Sequence, residues 1–234
     1  GTQPPIDQAV VIGVLNDFME DRDVMINASG SAPGDLHKLW RATDPKNFHL
    51  EYGYSTMGYE IAAGLGAKMA APDREIYVIC GDGGYLMNNH ELVTAVQEGI
   101  KFTVLLLNNN GFASIGGLSE SIGSERFGTQ YRFRDESTGQ LAGEYLPVDL
   151  AKNAESLGVE VIRATDRDSL KAALAQAKAN SRATVIYIET NLYRTVKGYN
   201  AWWEVPVAEV SESPSVRKAY EDYRENKKKQ RIYL

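Results

Sequence analysis

The sequence contains a single cysteine, Cys80, and no apolar run that approaches the roughly 20 residues of a membrane-spanning helix. An intrachain disulfide framework is therefore excluded, and the low cysteine content fits a reducing compartment. We expect a cytoplasmic protein that does not enter a membrane. The 234 residues carry a net charge of -6, without a general basic excess that could neutralise phosphates. Nucleic acid is therefore not expected as the main partner.

The two most familiar phosphate-binding motifs are also missing. No G-x-x-x-x-G-K-[ST] sequence occurs, and the pattern G-x-G-x-x-G that starts at Gly81 fails because its last position is Leu86. A further glycine pair, Gly64-Leu65-Gly66, lies inside an apparent helix, where close packing explains it better than ligand binding. Any phosphate site in this chain must therefore use a motif other than these two.

Short apolar segments alternate with helical ones through most of the chain. The predicted strands are Asp23–Asn27, Phe48–Tyr52, Glu75–Cys80, Lys101–Leu107, Val159–Ala164 and Thr184–Thr190. The segment Lys101–Leu107 is almost wholly apolar, as is typical of a strand in a parallel sheet that is covered on both faces. The alternation predicts an α/β fold, a doubly wound parallel sheet of about six strands with helices on both faces.

The segments between these strands predict helices and loops. Tyr85–Gln97 is expected to form one continuous helix, Met57–Met69 a closely packed helix, and Asp35–Arg41 one or two helical turns after a flexible turn. In contrast, Ala113–Tyr145 is rich in glycine, serine and charge and has no clear period. We expect an irregular segment there, and irregular segments of this length inside a compact domain are usually functional.

Two polar turns follow strands in the centre of the chain. Gly81-Asp82-Gly83-Gly84 follows the strand Glu75–Cys80, and Asn108-Asn109-Asn110-Gly111 follows Lys101–Leu107. If these strands are neighbours in a parallel sheet, the turns lie at the same edge, about 5 Å apart. Open α/β sheets bind ligands at that edge. A Gly-rich turn before a helix favours phosphate, because its free N–H groups point at the ligand.

Asp82 indicates that a cation takes part in this site. A carboxylate in a phosphate-binding loop would repel the phosphate unless a cation lay between them. One aspartate with asparagine and carbonyl oxygens is a hard, oxygen-rich set that suits Mg²⁺ or Ca²⁺. We therefore predict a diphosphate held through Mg²⁺. The alternative is ordinary local structure, with Asp82 as a helix cap and Asn110-Gly111 as a turn.

The turn Gly81-Asp82-Gly83, with the pair Asn108-Asn109 about 25 residues later, resembles the motif of thiamine-diphosphate enzymes that opens with GDG and closes with NN. This spacing is far more specific than a lone Gly-rich turn. The resemblance implies that the metal ligands are Asp82, Asn109 and the backbone carbonyl of Gly111. It also implies thiamine diphosphate and Mg²⁺ as the cofactors.

The resemblance extends to other segments. In Tyr54–Tyr59, Met57 corresponds to the family's apolar residue that supports the bent cofactor, and the carbonyl of Ser55 would accept a hydrogen bond from the aminopyrimidine. The alternative for Met57 is ordinary core packing. Ser114 and Ile115 correspond to residues that line the reaction pocket, or else belong to a plain loop. The further diphosphate contacts that the resemblance implies are Gly30, Ser31, Ala32, Gly83 and Gly84.

Two stretches, Ala28–Arg41 and Gly111–Ser119, resemble the 3D-(3,5/4)-trihydroxycyclohexane-1,2-dione hydrolases of myo-inositol breakdown. Those enzymes hydrolytically cleave a ring C–C bond beside a diketone. The resemblance runs from about Val24 to Tyr199 but covers only the C-terminal third of such an enzyme. It implies a diphosphate-binding domain over residues 1–200. Residues 201–234 are expected to form an extension that packs on this domain or on other parts of the parent enzyme.

The resemblance also implies a partner. In such enzymes the activating glutamate lies on a pyrimidine-binding domain of the same or another subunit, so no catalytic residue is assigned here. We expect an isolated chain without activity and a homodimeric or homotetrameric parent enzyme with a small-molecule substrate. Three alternatives remain: an acetohydroxyacid-synthase-like lyase or 2-oxo acid decarboxylase, a non-catalytic binding or assembly module, and a split enzyme with its pyrimidine domain on another polypeptide.

Overall fold

A computed structural model describes residues 2–198, 202 and 204–231. The described residues form two compact units. The first unit runs up to Gly111 and continues with Pro147–Val196, and the second comprises Phe112–Leu146 together with residues from Lys197 onward. The boundary that the sequence predicts between residues 200 and 201 lies outside the described residues.

The first unit is built around a six-stranded sheet. Its strands are β1 (Val24–Asn27), β2 (Phe48–Leu50), β3 (Ile76–Gly81), β4 (Thr103–Asn108), β5 (Glu160–Ala164) and β6 (Thr184–Glu189). Their spatial order is β2-β1-β3-β4-β6-β5, and every neighbouring pair is parallel. The predicted fold class is therefore confirmed.

Helices cover both faces of this sheet. The helices of the first unit are α1 (Gln8–Phe18), α2 (Ala32–Leu39), α3 (Tyr59–Ala70), α4 (Asp82–Met87), α5 (Glu91–Glu98), α7 (Leu150–Ser156) and α8 (Arg167–Ala179). The second unit contains α6 (Ala113–Ser121) and α9 (Pro214–Lys227). Helices α1, α2 and α8 share one apolar layer, and α3, α5 and α7 share the other. No helix in the described ranges is long and apolar enough to cross a membrane.

The central strands explain why two layers form. Along β3, Tyr77 and Ile79 face the layer of α1, α2 and α8, whereas Val78 and Cys80 face the other layer. Successive strand residues point to opposite faces, so a strand that is apolar at every position needs cover on both sides. Cys80 is accordingly a buried core residue.

Several segments between the strands differ from the predictions. The predicted helix Tyr85–Gln97 is divided into α4 and α5, because Asn88 leaves helical geometry and its side chain bonds elsewhere, an alternative that asparagine favours. Helix α2 begins at Ala32, earlier than predicted, since Pro33 is well suited to a first helical turn. The segment expected to be irregular begins with α6, whose Gly116 packs tightly against Arg126 and Thr129.

The second unit joins two regions that are distant in sequence. The hydroxyl of Ser215 donates to the carbonyl of Gly123 at 2.6 Å, which links the start of α9 to the residues after α6. Gly123 has a φ of +82°, and a Cβ there would lie 2.4 Å from the backbone carbonyl oxygen of Ser215, so only glycine fits. The sequence did not predict that the tail would pack with residues 112–146.

Candidate functional site

The first unit brings the two polar turns together. Strands β3 and β4 are hydrogen-bonded neighbours, with Gly81 opposite Leu107, so both turns begin at the same edge. The chain passes from β1 outward to β2 and then returns to the other side of β1 as β3. Such a reversal is where open α/β sheets bind ligands. We call the loops at this point, residues 28–31, 81–84 and 109–111, the carboxyl-edge site.

Asp82 joins the two turns. It is the first residue of α4 and is 1% exposed. Its Oδ2 accepts hydrogen bonds from the N–H groups of Asn109 at 3.0 Å and Gly111 at 3.1 Å, and its Oδ1 accepts from Gly83 at 2.7 Å. Gly81, rather than Asp82, occupies the N-cap of α4. Asp82 therefore organises the β4 turn as well as its own helix.

Burial governs the electrostatics of Asp82. Desolvation raises the pKa of its carboxyl group to about 6, although the N–H groups of Gly111, Asn109 and Gly83 oppose the shift. The hydrogen-bond partners that the structure gives this carboxylate are backbone N–H groups. A cation at the site would add the favourable interaction that N–H groups supply only in part.

The asparagine turn leaves one oxygen unpaired. Asn108 donates from Nδ2 to the hydroxyl of Tyr187 at 2.7 Å and accepts at Oδ1 from the N–H of Asn110, whose φ is +59°. The Oδ1 atom of Asn109 is buried without a hydrogen-bond partner among the described residues. A buried amide oxygen without a partner is costly, and a metal ion would satisfy it.

The loop after β1 supplies the three other diphosphate candidates. Gly30 is exposed with a φ of +100°, Ser31 is the N-cap of α2, and Ala32 is buried in its first turn. The Ser31 hydroxyl donates to Oε1 of Gln8 at 2.9 Å, and Nε2 of Gln8 donates to Asp35 at 2.8 Å. The sequence reasoning missed Gln8 and Asp35. The available signal was the position of Gln8, at helical spacing from the apolar residues Val11, Ile12 and Leu15.

Met57 and Ser55 lie in the connection from β2 to α3. Met57 was predicted inside the helix, but α3 begins at Tyr59, after Gly58 with its φ of +87°. Met57 is half-buried, and exposed Ser55 has a φ of +54°, which is uncommon for a residue other than glycine. The side chain of Asn88 donates to the carbonyl of Gly58 at 2.8 Å and so ties this connection to the end of α4.

Ser114 and Ile115 lie in a different part of the structure. Both belong to the first turn of α6 in the second unit, so neither stands in a plain loop. Ser114 is half-buried and Ile115 is 52% exposed. Their role as pocket residues stays a prediction.

Fold and site together define a class, the parallel α/β domains with an oxygen-rich polar site at the switch point of the sheet. Comparison with known families identifies a particular family within this class. The family described as "Thiamine pyrophosphate enzyme, C-terminal TPP binding domain" matches residues 28–188, more than half of the chain. The chain belongs to this family, which confirms the resemblance that rests on the GDG and NN turns.

Two similar curated proteins share a name apart from a number. The 3D-(3,5/4)-trihydroxycyclohexane-1,2-dione hydrolase 2 of Bacillus cereus (strain ZK) is 43% identical over 233 residues, which are 100% of this chain and 36% of that protein. The hydrolase of the same name without the number, from Clostridium tetani (strain Massachusetts), is 43% identical over 216 residues, 92% of this chain and 34% of its own length. The chain thus spans about a third of the curated relatives it matches.

A solved structure supports the fold independently. The thiamine diphosphate-dependent 4-hydroxybenzoylformate decarboxylase of Rhodococcus jostii RHA1 matches 82% of this chain and 33% of its own, with a TM-score of 0.67 and 22% sequence identity. At that identity the likeness concerns the fold alone.

Proposed function

We propose that this chain is the diphosphate-binding part of an enzyme that uses Mg²⁺ and thiamine diphosphate to cleave, by hydrolysis, a C–C bond of a cyclic 1,2-diketone. The part of this proposal that concerns the cofactor rests on the contact of Asp82 with the Asn109–Gly111 turn. The names of the relatives support the reaction half.

The donor set at the carboxyl-edge site fits Mg²⁺. The buried Asp82 carboxylate and the unpaired Oδ1 of Asn109 are hard oxygen ligands, and the carbonyl of Gly111 would be the third protein ligand. Mg²⁺ typically uses few protein groups and completes its shell with water and substrate phosphates. A diphosphate would supply those phosphate oxygens.

The remaining candidates would bind and orient the cofactor. Backbone groups of Gly30, Ser31 and Ala32, with those of Gly83 and Gly84, would contact the diphosphate, since helices α2 and α4 begin at these residues. Met57 would support the cofactor's bent shape, and the carbonyl of Ser55 would accept from its aminopyrimidine. The carbanion chemistry that breaks a C–C bond beside a carbonyl would come from the bound cofactor.

The proposal includes the rest of the enzyme. A pyrimidine-binding domain, of the same or another subunit, would supply the activating glutamate, and Ser114 and Ile115 would line the substrate pocket. The parent enzyme would be a cytoplasmic homodimer or homotetramer. Residues 1–200 would be the diphosphate-binding domain and 201–234 its extension. The small share of the relatives that the chain spans supports a multidomain parent.

Calorimetry tests the cofactor half. Thiamine diphosphate is titrated into the 234-residue chain with and without Mg²⁺, and the experiment is repeated with Asp82→Asn and with Asp21→Asn, an exposed control. We expect Mg²⁺-dependent binding that Asp82→Asn weakens about tenfold or more and that the control retains. Mg²⁺-dependent binding that persists unchanged in Asp82→Asn would remove Asp82 from the site.

Product analysis tests the reaction half. A full-length enzyme that contains this domain is supplied with a cyclic 1,2-diketone or with 2-oxo acids, and the products are identified. Ring opening to an acid supports the proposal. Release of carbon dioxide or a condensation product from 2-oxo acids, without ring opening, would favour a decarboxylase or an acetohydroxyacid-synthase-like lyase.

A further inference from the structure

Glu60 is a buried carboxylate in the first turn of α3. It is 1% exposed, and burial raises its pKa, against opposing hydrogen bonds from the N–H groups of Glu60 itself, Gly58 and Ser29. The N–H of Gly58 lies 2.9 Å from its Oε2. Within the described part of the chain no cationic side chain forms an ion pair with it. A buried charge that only N–H groups satisfy is costly, so its contacts need an explanation.

The N–H groups of Ser29 and Gly58, which stabilise the Glu60 carboxylate, belong to two segments that lead to the candidate cofactor-binding residues. Ser29 directly precedes Gly30 in the loop after β1, and Gly58 directly follows Met57. The carbonyl of Gly58 is in turn held by Asn88. A negative charge at the start of α3 is favourable for the helix itself, but the favourable electrostatic interaction with the Ser29 N–H goes beyond a local cap. Glu60 therefore connects segments that are far apart in sequence.

The same carboxylate lies against α4. A Cβ placed on Gly84 would lie 3.1 Å from Oε1 and 3.2 Å from Oε2 of Glu60. This is tighter than ordinary carbon–oxygen contact, so an alanine would displace the carboxylate by a few tenths of an ångström. The third cofactor segment, the helix that begins with Asp82, is thus also packed on Glu60.

We propose that Glu60 is a positioning residue that holds the loop after β1, the Met57-Gly58 connection and the start of α4 in the arrangement that receives the cofactor. The cofactor part of this inference rests on the proposed function, whereas the positioning of the loops does not. Glu60 acts through its neighbours, since its carboxylate accepts from the N–H of Gly58 and lies against Gly84.

The isosteric change Glu60→Gln tests the carboxylate. Glutamine keeps the volume but offers one acceptor oxygen, and its amide NH₂ would face an N–H donor. Loss of the hydrogen bond from Gly58, and of the favourable interaction with the Ser29 N–H, should speed amide hydrogen exchange at both residues about tenfold, as measured by NMR on the free chain. Glu98→Gln, an exposed control, should leave both amides unchanged. Unchanged exchange at both amides in Glu60→Gln would overturn the proposal.

Cofactor affinity is the readout that a merely structural role would not move. We expect Glu60→Gln to weaken Mg²⁺-dependent thiamine diphosphate binding about tenfold without lowering the melting temperature, because a desolvated charge is removed. Unchanged affinity would overturn the cofactor part. If the wild-type chain binds no thiamine diphosphate, the proposed function fails, and amide exchange alone decides whether Glu60 positions the loops.

A second variant leaves Glu60 in place. Gly84→Ala should push the carboxylate away from α4 and speed exchange at the same two amides. Gly66→Ala is its matched control, since a Cβ on Gly66 meets no atom within 4 Å among the described residues. If Gly84→Ala leaves Ser29 and Gly58 as protected as in the wild type, the carboxylate does not join these segments and the inference is wrong.

Discussion

The backbone N–H of Asn109 donates to Oδ2 of Asp82 at 3.0 Å and so joins the ends of two neighbouring strands. Because the carboxylate takes this bond, the asparagine side chain is free to turn its oxygen toward a ligand, and that oxygen has no hydrogen-bond partner among the described residues. The protein thus holds the backbone of the turn, while one side-chain oxygen of Asn109 stays unpaired. Under the proposed function, that oxygen would bind Mg²⁺, whereas Asn108 would have a structural role.

Asn109→Ala and Asn108→Ala should therefore change different quantities, cofactor binding and stability respectively. Asn109→Ala should raise the Mg²⁺ concentration needed for cofactor binding about tenfold with little loss of stability, because it removes an unpaired oxygen. Asn108→Ala removes the bond to the buried Tyr187 hydroxyl and should lower the free energy of unfolding by about 1–3 kcal/mol. Urea denaturation and calorimetry measure the two quantities. Equal destabilisation by both variants would contradict this division.

Two glycines of α3 should respond differently to alanine. A Cβ on Gly64 would lie 2.4 Å from Cγ2 of Val78 and 3.2 Å from the ring of Phe102, so Gly64→Ala should cost about 1–3 kcal/mol of unfolding free energy. Gly66→Ala meets no such contact in the described structure and should add about 0.5–1 kcal/mol. Urea denaturation of both variants checks this pair. A stable Gly64→Ala would mean that α3 can move away from β3.

Asp149 should make the free energy of unfolding depend on pH in the acidic range. It caps α7 by accepting from the N–H of Lys152 and pairs with Arg163, and these bonds hold the pKa of its carboxyl group at about 2. A lowered folded-state pKa stabilises the protein above the unfolded value, and that stability is lost as pH falls toward 2. Asp149→Ala should thus cost about 1 kcal/mol at neutral pH, a cap-sized effect for a partly exposed group.

The pH profile provides the control for Asp149. The difference in unfolding free energy between wild type and Asp149→Ala should narrow between about pH 5 and pH 2. The exposed Asp21→Ala serves as the control for loss of an aspartate. A difference that is constant over this range would show that the cap does not depend on the charge.

The isolated chain should show no turnover. The chain spans about a third of its curated relatives, and the activating glutamate is proposed to lie on another domain. An assay of the purified 234-residue chain with a cyclic 1,2-diketone, Mg²⁺ and thiamine diphosphate should give no acid product. Restoration of product on addition of a pyrimidine-binding domain would support the proposed division of the site. Measurable turnover by the chain alone would contradict it.

The fold class could be predicted from the sequence because its signals are local. The central strands β3, β4 and β6 are short and mostly apolar, and the helices between the strands have their own apolar stripes. The division of Tyr85–Gln97 into two helices was not readable, since it depends on Asn88 reaching Gly58, a residue far away in the sequence. The start of α6 was missed because Gly116 is there for its contacts with Arg126 and Thr129, not for helix propensity.

The sequence by itself determined the parallel α/β architecture and the two polar turns, because the strand pattern and the spacing of Asp82 and Asn109 are local features of the chain. Only the tertiary structure decided that the turns share hydrogen bonds, that Glu60 contacts Gly58 and lies against Gly84, and that Ser215 meets Gly123. These relationships join residues that are distant in sequence. Packing and burial create them, and no local pattern records which residues packing will bring together.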